Sequence, residues 1–361
     1  SVAAIQAAMI TMAVDQSLSW FILLMAGAGT MVWQLQEVRS RACLIRASSM
    51  SAFVVVIAVV ILAMLELPSP WAAALQILTD AAEAGVATLC VGFLVLGILP
   101  SVERLFHITT GMTLAELRDP RRPLLRELQQ RAPGTYDHSL QVASIAEAAA
   151  ESIGADGLLV YVGGLYHDIG KMHKPQYFVE NQQGGENRHD NLSPAMSLLV
   201  IIGHVKDGME LAREYRIPRE ISHFIESHHG TTLVEYFYHA ARQRAEEAGD
   251  KDTPSEVEFR YPGPRPRTRE AAILMLADCV ESATRAMSDP TPGQIEGLVH
   301  DLARKRLLDG QFDQTPITMA ELAKVKEAIL TRVCAIHHGR ITYPEDVDAS
   351  ETAEVETAEA G

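Results

Sequence analysis

Residues 156–170, DGLLVYVGGLYHDIG, read as an apolar helix that ends on two polar side chains, His167 and Asp168. A single polar group on an apolar face is ordinary when it finds a hydrogen bond. Taken alone, either residue fits a core histidine or a helix cap as well as a ligand. The pattern recurs along the chain. His138 lies in PGTYDHSLQVASIAEAAAESIG, His204 follows LLVII, Asp278 interrupts ILMLADCV, and His228–His229 close PREISHFIESHH ahead of Gly230. Mixed imidazole and carboxylate donors suit Fe, Mn, Zn or similar first-row ions, whereas Mg and Ca prefer oxygen alone. Neighbouring helical residues project about 100° apart, so His167 and Asp168 cannot take equivalent places around one ion. A carboxylate between two ions, with a histidine on one of them, fits that geometry. Seven donors exceed what one tetrahedral zinc accepts, and two ions fit better.

The surrounding sequence is helical from about 133 to 340. The 133–154 segment predicts a cap near its start and Gly154 at its end, and Ser193–Pro194 is a helix start with proline in the first turn. Residues 244–268 are charged and Pro-rich, an excursion between helices. No run of alternating strands and no internal repeat is visible, so the fold class is all-α.

The first hundred residues differ in kind. Three apolar stretches, 18–36, 47–66 and 82–101, match the roughly 20 residues that a helix needs to span a bilayer. Residues 1–14 look like the end of a further span, and the absence of an initiating Met suggests a truncated start. Arg39, Arg41 and Arg46 follow the first stretch, and Arg104, Arg118, Arg121, Arg122 and Arg126 follow the last. The intervening LPSPWAAALQILTD carries neither Lys nor Arg. The positive-inside rule puts both basic segments on the cytoplasmic side. The expected organisation is therefore transmembrane helices over 1–101, a connector over 102–132, a cytoplasmic helical domain over 133–341 and an acidic tail over 342–361. DPRRP at 119–123 should interrupt any helix in the connector.

The net charge of −15 argues against a nucleic-acid polymer as partner. Much of it is local, because Glu345, Asp346, Asp348, Glu351, Glu354, Glu356 and Glu359 face no base in the tail, which reads as solvated and disordered. The four cysteines show neither paired spacing nor CxxC, as in a reducing compartment. Few ionisable residues fall inside the apolar stretches, against the usual pattern of a transport pathway.

The order H…HD…H…HH…D resembles the metal signature of the HD superfamily. LAELRDPRRPLLRELQQRAPGTYDHSL (114–140), GGLYHDIGKMHKPQYFVENQ (163–182), HDNLSPAMSLLVIIGHVKDG (189–208), ESHHGTTLVEYFYHAA (226–241) and FRYPGPRPRTREAAILMLADCVE (259–281) resemble a narrower group. These are the membrane-anchored, seven-transmembrane HD phosphodiesterases of cyclic di-AMP, the PgpH type. The apolar part matches that family in topology only, as the later portion of a seven-span bundle at the bacterial inner membrane.

The resemblance implies that His138, His167 and Asp278 hold one metal ion and His204, His228 and His229 the other, with Asp168 bridging. It favours Mn or Fe, and a cut of cyclic di-AMP to linear pApA. It also implies that Lys171 neutralises a phosphate oxygen and that Asn187, His189 and, more weakly, Thr231 contact the nucleotide. A homodimer is compatible with it. His337–His338–Gly339 imitates the earlier HHG without its context, and His107, His173, His223, His239 and His300 read as surface or core residues. Tyr261–Pro262–Gly263 does not mark an HD-GYP protein, whose Gly-Tyr-Pro element closely follows its histidine pair. The competing readings are an HD hydrolase of cyclic di-GMP or a (p)ppGpp-like nucleotide, and a catalytically silent nucleotide receptor at the membrane.

Overall fold

Long apolar runs become helices in the computed structural model, even across Pro100, and it describes residues 18–35, 41–66, 71–106, 108–182, 187–248 and 254–338. The N-terminal helices are α1 (Leu18–Gln34), α2 (Arg41–Glu66) and α3 (Ala74–Phe106). α2 and α3 begin earlier than their apolar cores, because nothing in the polar flanks stops helix propagation. Over Ala42–Glu66 and Ala74–Glu103 they are long and apolar enough to cross a membrane. α1, at 17 residues, is apolar but shorter. Small residues bring these helices together, as is common between apolar helices. The Ser51 hydroxyl donates to the Gly27 carbonyl at 2.8 Å, and a Cβ on Gly92 would lie 2.5 Å from that of Ser48. Residues 1–14, Arg39, His107 and the acidic run from 342 lie outside the described residues.

The described residues divide into two units, one up to Arg131 together with Met209–His223, the other comprising Ala132–Gly208 and the residues from Phe224 on. In the first unit, α3 is followed by α4 (Gly111–Leu117), capped by the Thr110 hydroxyl, and α5 (Pro123–Arg131). DPRRP lies between these two short helices, with Pro123 at the first position of α5, where its missing N–H has no partner to lose. Leu124, Leu125 and Leu128 of α5 are buried, and Glu127 accepts from the Tyr215 hydroxyl at 2.8 Å.

The second unit is built around α11 (Arg269–Arg285), apolar and buried over Ala271–Ala277. A helix buried all round needs neighbours on every side. They include α6 (Pro133–Ser152), α7 (Gly157–Tyr166), α12 (Pro292–Leu308) and α13 (Met319–His338). Val142, Ile145, Val160, Phe224, Met275, Val325 and Ile329 share the core. α8 (Pro194–Glu214) and α9 (Arg219–Ser227) each run through both units, and α10 (Glu235–Ala248) follows.

Caps mark the ends. Asp156 accepts from Leu159 N–H at 3.0 Å, Thr268 from Ala271 N–H at 3.1 Å, and Thr291 forms a capping box with Gln294. The side-chain cap expected for α6 is absent. Ala132 is its N-cap, Pro133 supplies the first turn, and the Thr135 N–H donates to the distant Asn181 Oδ1 at 3.2 Å. Gly154, with φ +68°, ends it in the left-handed conformation. α10 runs five residues into the excursion expected from 244, supported by side-chain pairs Arg242–Glu246 and Gln243–Glu247. Among the described residues the only β pairing is an isolated bridge, Leu233 with Arg260. The fold is all-α.

Candidate metal centre

Each polar residue that interrupts an apolar helix points to one buried focus. α6 supplies His138. α7 ends at Tyr166, so His167 caps it and Asp168 (φ −110°, ψ 16°) turns the chain into a short 3-10 helix, Ile169–His173. α8 brings His204, the end of α9 brings His228 and His229, and α11 brings Asp278. A close crossing makes this convergence feasible. Gly170 lies against α8 so tightly that a Cβ there would be 1.9 Å from the His204 carbonyl oxygen and 2.5 Å from Gly208 N.

Asp168 stands between two sets of donors. Its Oδ2 lies 3.2 Å from His167 Nε2 and 3.5 Å from His138 Nε2. Its Oδ1 lies 3.4 Å from His204 Nε2 and 3.5 Å from His228 Nε2. Asp278 Oδ1 is 3.1 Å from His138 Nε2 and 3.9 Å from His167 Nε2, while its Oδ2 is 3.9 Å from His229 Nδ1. Donor atoms of His138, His167 and Asp278 fall within 4.8 Å of one another, as do those of Asp168, His204, His228 and His229.

The donor set fits divalent ions on internal grounds. His167 Nε2 and Asp168 Oδ1 are fully buried with no hydrogen-bond partner in the protein, a cost that folded chains rarely carry. The far nitrogens of three rings are tied down. His167 Nδ1–H donates to Gly164 O at 2.7 Å, His204 Nδ1–H to Ile201 O at 2.6 Å, and His228 Nδ1–H to Ile225 O at 3.0 Å. That fixes the tautomer and leaves Nε2 free as a ligand. His138 differs. Its Nδ1–H donates to a carboxylate, Glu281 Oε2, at 2.5 Å, and Glu281 Oε1 in turn accepts from Arg285 Nε at 3.0 Å.

Burial sets the electrostatics. It pushes His204 down to about 3 against the pull of Asp168, and holds His229 well below the usual histidine value, so both rings stay neutral. Burial also lowers His138, but its hydrogen bonds to the Asp278 and Glu281 carboxylates outweigh it and raise this group to about 9. Asp168 and Asp278 remain ionised. Burial raises both, and His167 with Lys171 for the first, and His138 for the second, more than reverse it.

Lys171 is brought to the centre, but onto protein groups. Its Nζ lies 2.8 Å from Asp168 Oδ2 and 2.9 Å from Glu180 Oε1. Beside it a cleft of ≈ 490 Å³ is lined by Lys171, Tyr177, Asn187, His189, His204, His229, Tyr236 and Tyr261, among others. Asn187 caps the 3-10 turn Arg188–Asn191 by accepting from His189 N–H at 3.1 Å, and His189 is held by its Nε2–H to Tyr177 O at 2.9 Å. Thr231 does not line the cleft. Its hydroxyl accepts from Arg265 Nε at 3.2 Å and Gln311 Nε2 at 3.0 Å. His300 contacts Lys326, His173 faces Asp207, and neither they nor His337 join the cluster; the His338 side chain lies outside the described residues.

Two residues here escape a reading of the sequence alone. Glu281 follows Asp278 by three on α11, a spacing that puts both on one face and was the available signal. Tyr261 stacks on His229 at 4.2 Å between ring centroids. It comes from the Pro-rich excursion, where no periodicity points to it.

Residues 135–283 match the model of the HD domain, and residues 1–110 match that of the 7TM receptor with intracellular HD hydrolase. An HD-domain crystal structure from the L. monocytogenes phosphodiesterase PgpH is 42% identical and covered over 100% of its length, with a TM-score of 0.56. The chain belongs to the seven-transmembrane HD hydrolase family. In this family the cyclic-di-AMP phosphodiesterase PgpH of Bacillus subtilis (strain 168) is 43% identical over 287 residues, 80% of this chain and 40% of the relative. PgpH of Listeria monocytogenes serotype 1/2a (strain 10403S) is 42% identical over 252 residues, 70% of this chain and 34% of the relative. The Listeria HD domain has also been solved in complex with cyclic-di-AMP, with a TM-score of 0.57 and 43% identity, covering 60% of this chain and 99% of that one. The chain thus spans well under half the length of these HD hydrolase relatives.

Proposed function

We propose that this chain is a membrane-tethered, dinuclear-metal phosphodiesterase that hydrolyses cyclic di-AMP to linear pApA, with its catalytic unit on the cytoplasmic side. The observation that carries the reading is Asp168, whose two oxygens face separate groups of imidazoles. The relatives named for cyclic di-AMP support the substrate. His138, His167 and Asp278 would hold one ion, His204, His228 and His229 the other, and Asp168 would serve both. Such a pair, Mn or Fe, would supply a water-derived nucleophile near neutral pH and offset charge on the phosphodiester.

The chain's own residues supply the rest. Lys171, itself held by Glu180, holds Asp168 in place, so Lys171 acts on the carboxylate before it acts on phosphate. The cleft lined by Tyr177, Asn187, His189 and Tyr236 offers aromatic faces and amide groups to the nucleotide beside His204 and His229. Burial raises the Tyr261 hydroxyl above its ordinary value, so it stays protonated, a neutral donor for a phosphoryl oxygen. In the reaction, water oxygen bonds to phosphorus, one phosphorus–O3′ bond breaks, and the 3′-oxygen leaves as a hydroxyl.

The test is product analysis on the full chain in detergent with added Mn or Fe. The expected result is pApA from cyclic di-AMP, lost on chelation and in Asp168→Ala. Faster turnover of cyclic di-GMP or a (p)ppGpp-like nucleotide would sink the substrate assignment. Tight binding without hydrolysis in metal-replete protein would identify a receptor instead.

A further inference from the structure

The two donor sets are unlike in charge and in what stands behind them. The set of His138, His167 and Asp278 has a carboxylate of its own. A second carboxylate, Glu281, sits behind His138, 2.5 Å from Nδ1 and almost fully buried. The set of His204, His228 and His229 contains imidazoles alone, with only the shared Asp168. Behind His204 and His228 stand neutral main-chain carbonyls, while the face of His229 stacks on a phenol and its Nδ1 comes no closer than 3.9 Å to Asp278 Oδ2. A carboxylate on the far nitrogen of a ligating imidazole orients the ring and raises its basicity, and its loss typically weakens metal binding about 10–100-fold.

We infer that Glu281 is a positioning residue that ranks the two metal sites, so that a divalent transition-metal ion fills the His138–His167–Asp278 site first and the His204–His228–His229 site second. This rests on the dinuclear reading above. Arg285 binds the outer oxygen of Glu281 and braces it toward His138, donating from Nε at 3.0 Å. Lys171 sits on Asp168 Oδ2, the oxygen facing the first set, but Glu180 at 2.9 Å balances it. With those two pairs neutral, Asp168 and Asp278 remain as unmatched charges; Asp168 faces both sets alike, whereas Asp278 lies 3.1 Å from His138 Nε2 and 3.9 Å from the nearest nitrogen of the second set.

The experiment uses the full chain in detergent, stripped by chelation and titrated with Co(II), read by its visible ligand-field spectrum and by metal analysis. The wild-type chain should bind two ions in two steps, the first at least about tenfold tighter. Glu281→Gln should weaken the first step about 10–100-fold and leave the second within about twofold, and Glu281→Asp should recover part of the loss. A second measurement does not depend on those variants folding. The one-equivalent Co(II) spectrum should persist in His204→Ala and change in His138→Ala. Equal affinities in the wild type, an unchanged first step in Glu281→Gln, or a one-equivalent spectrum lost in His204→Ala would each overturn the ranking. Uptake of fewer than two ions by the wild type would overturn the dinuclear reading with it.

Discussion

Lys171 shows how a residue's role depends on its partners. The HDIGK motif points it at a phosphate. In the fold its ammonium lies between Asp168 and Glu180, with its side chain 13% exposed. Lys171→Met should leave two buried carboxylates without their cation, a loss of about 3–5 kcal/mol, measurable as a lower urea midpoint of the full chain. The sign with pH follows from Glu180. Burial raises its pKa, the Lys171 ammonium reverses this, and the net value is depressed. The pair's contribution is therefore complete above the ordinary glutamate pKa and fades only as pH falls through the depressed one. Wild type and Lys171→Met should differ most near neutrality and converge in acid. Tyr261 makes the opposite case, its ring stacked on His229 and set in the cleft wall. Tyr261→Phe should lower kcat by about tenfold to a hundredfold, with KM and metal content little changed, in steady-state assays on cyclic di-AMP.

At the level of elements, helices were the legible part. Apolar runs and 3.6-residue spacing marked α1 to α3, α6, α7, α8, α9 and α11, because helical hydrogen bonds are local and amphipathic faces repeat. Ends were less legible where the cap was backbone geometry, as at Ala132–Pro133, or where side-chain pairs carried α10 past its apolar residues. The crossing of the Ile169–His173 turn over α8 was not legible at all, although it sets the place of His204. It yields a paired prediction. Gly170→Ala must push a Cβ into the His204 carbonyl, so it should cost about 1–3 kcal/mol or more and reduce bound metal. Gly203→Ala, one residue before His204 with open space around it, should stabilise the chain by about 0.5–1 kcal/mol through helix propensity. Thermal melts with metal analysis on both variants would check this.

Over the whole molecule, metal and fold would be coupled, because five helices and one turn converge on the seven His and Asp side chains. The unpartnered His167 Nε2 and Asp168 Oδ1 make the stripped centre costly. Chelation should therefore lower the stability of the full chain by about 3–4 kcal/mol for an ion otherwise present at about 100–1,000 times its Kd. Adding Mn(II) back should restore the melting temperature.

What could be read from the sequence by itself was the all-α class, the apolar helices and the seven His and Asp side chains that the fold gathers into one cluster. A polar side chain set in an apolar helical run is a local anomaly, visible without knowing what it meets. Only the tertiary structure decided which oxygen of Asp168 faces which imidazoles, that Glu281 stands behind His138, that Lys171 serves a carboxylate, and that Tyr261 reaches the cleft while Thr231 does not. Those facts depend on which faces of distant helices come together. Periodicity names a buried face, and long-range packing alone chooses its partner.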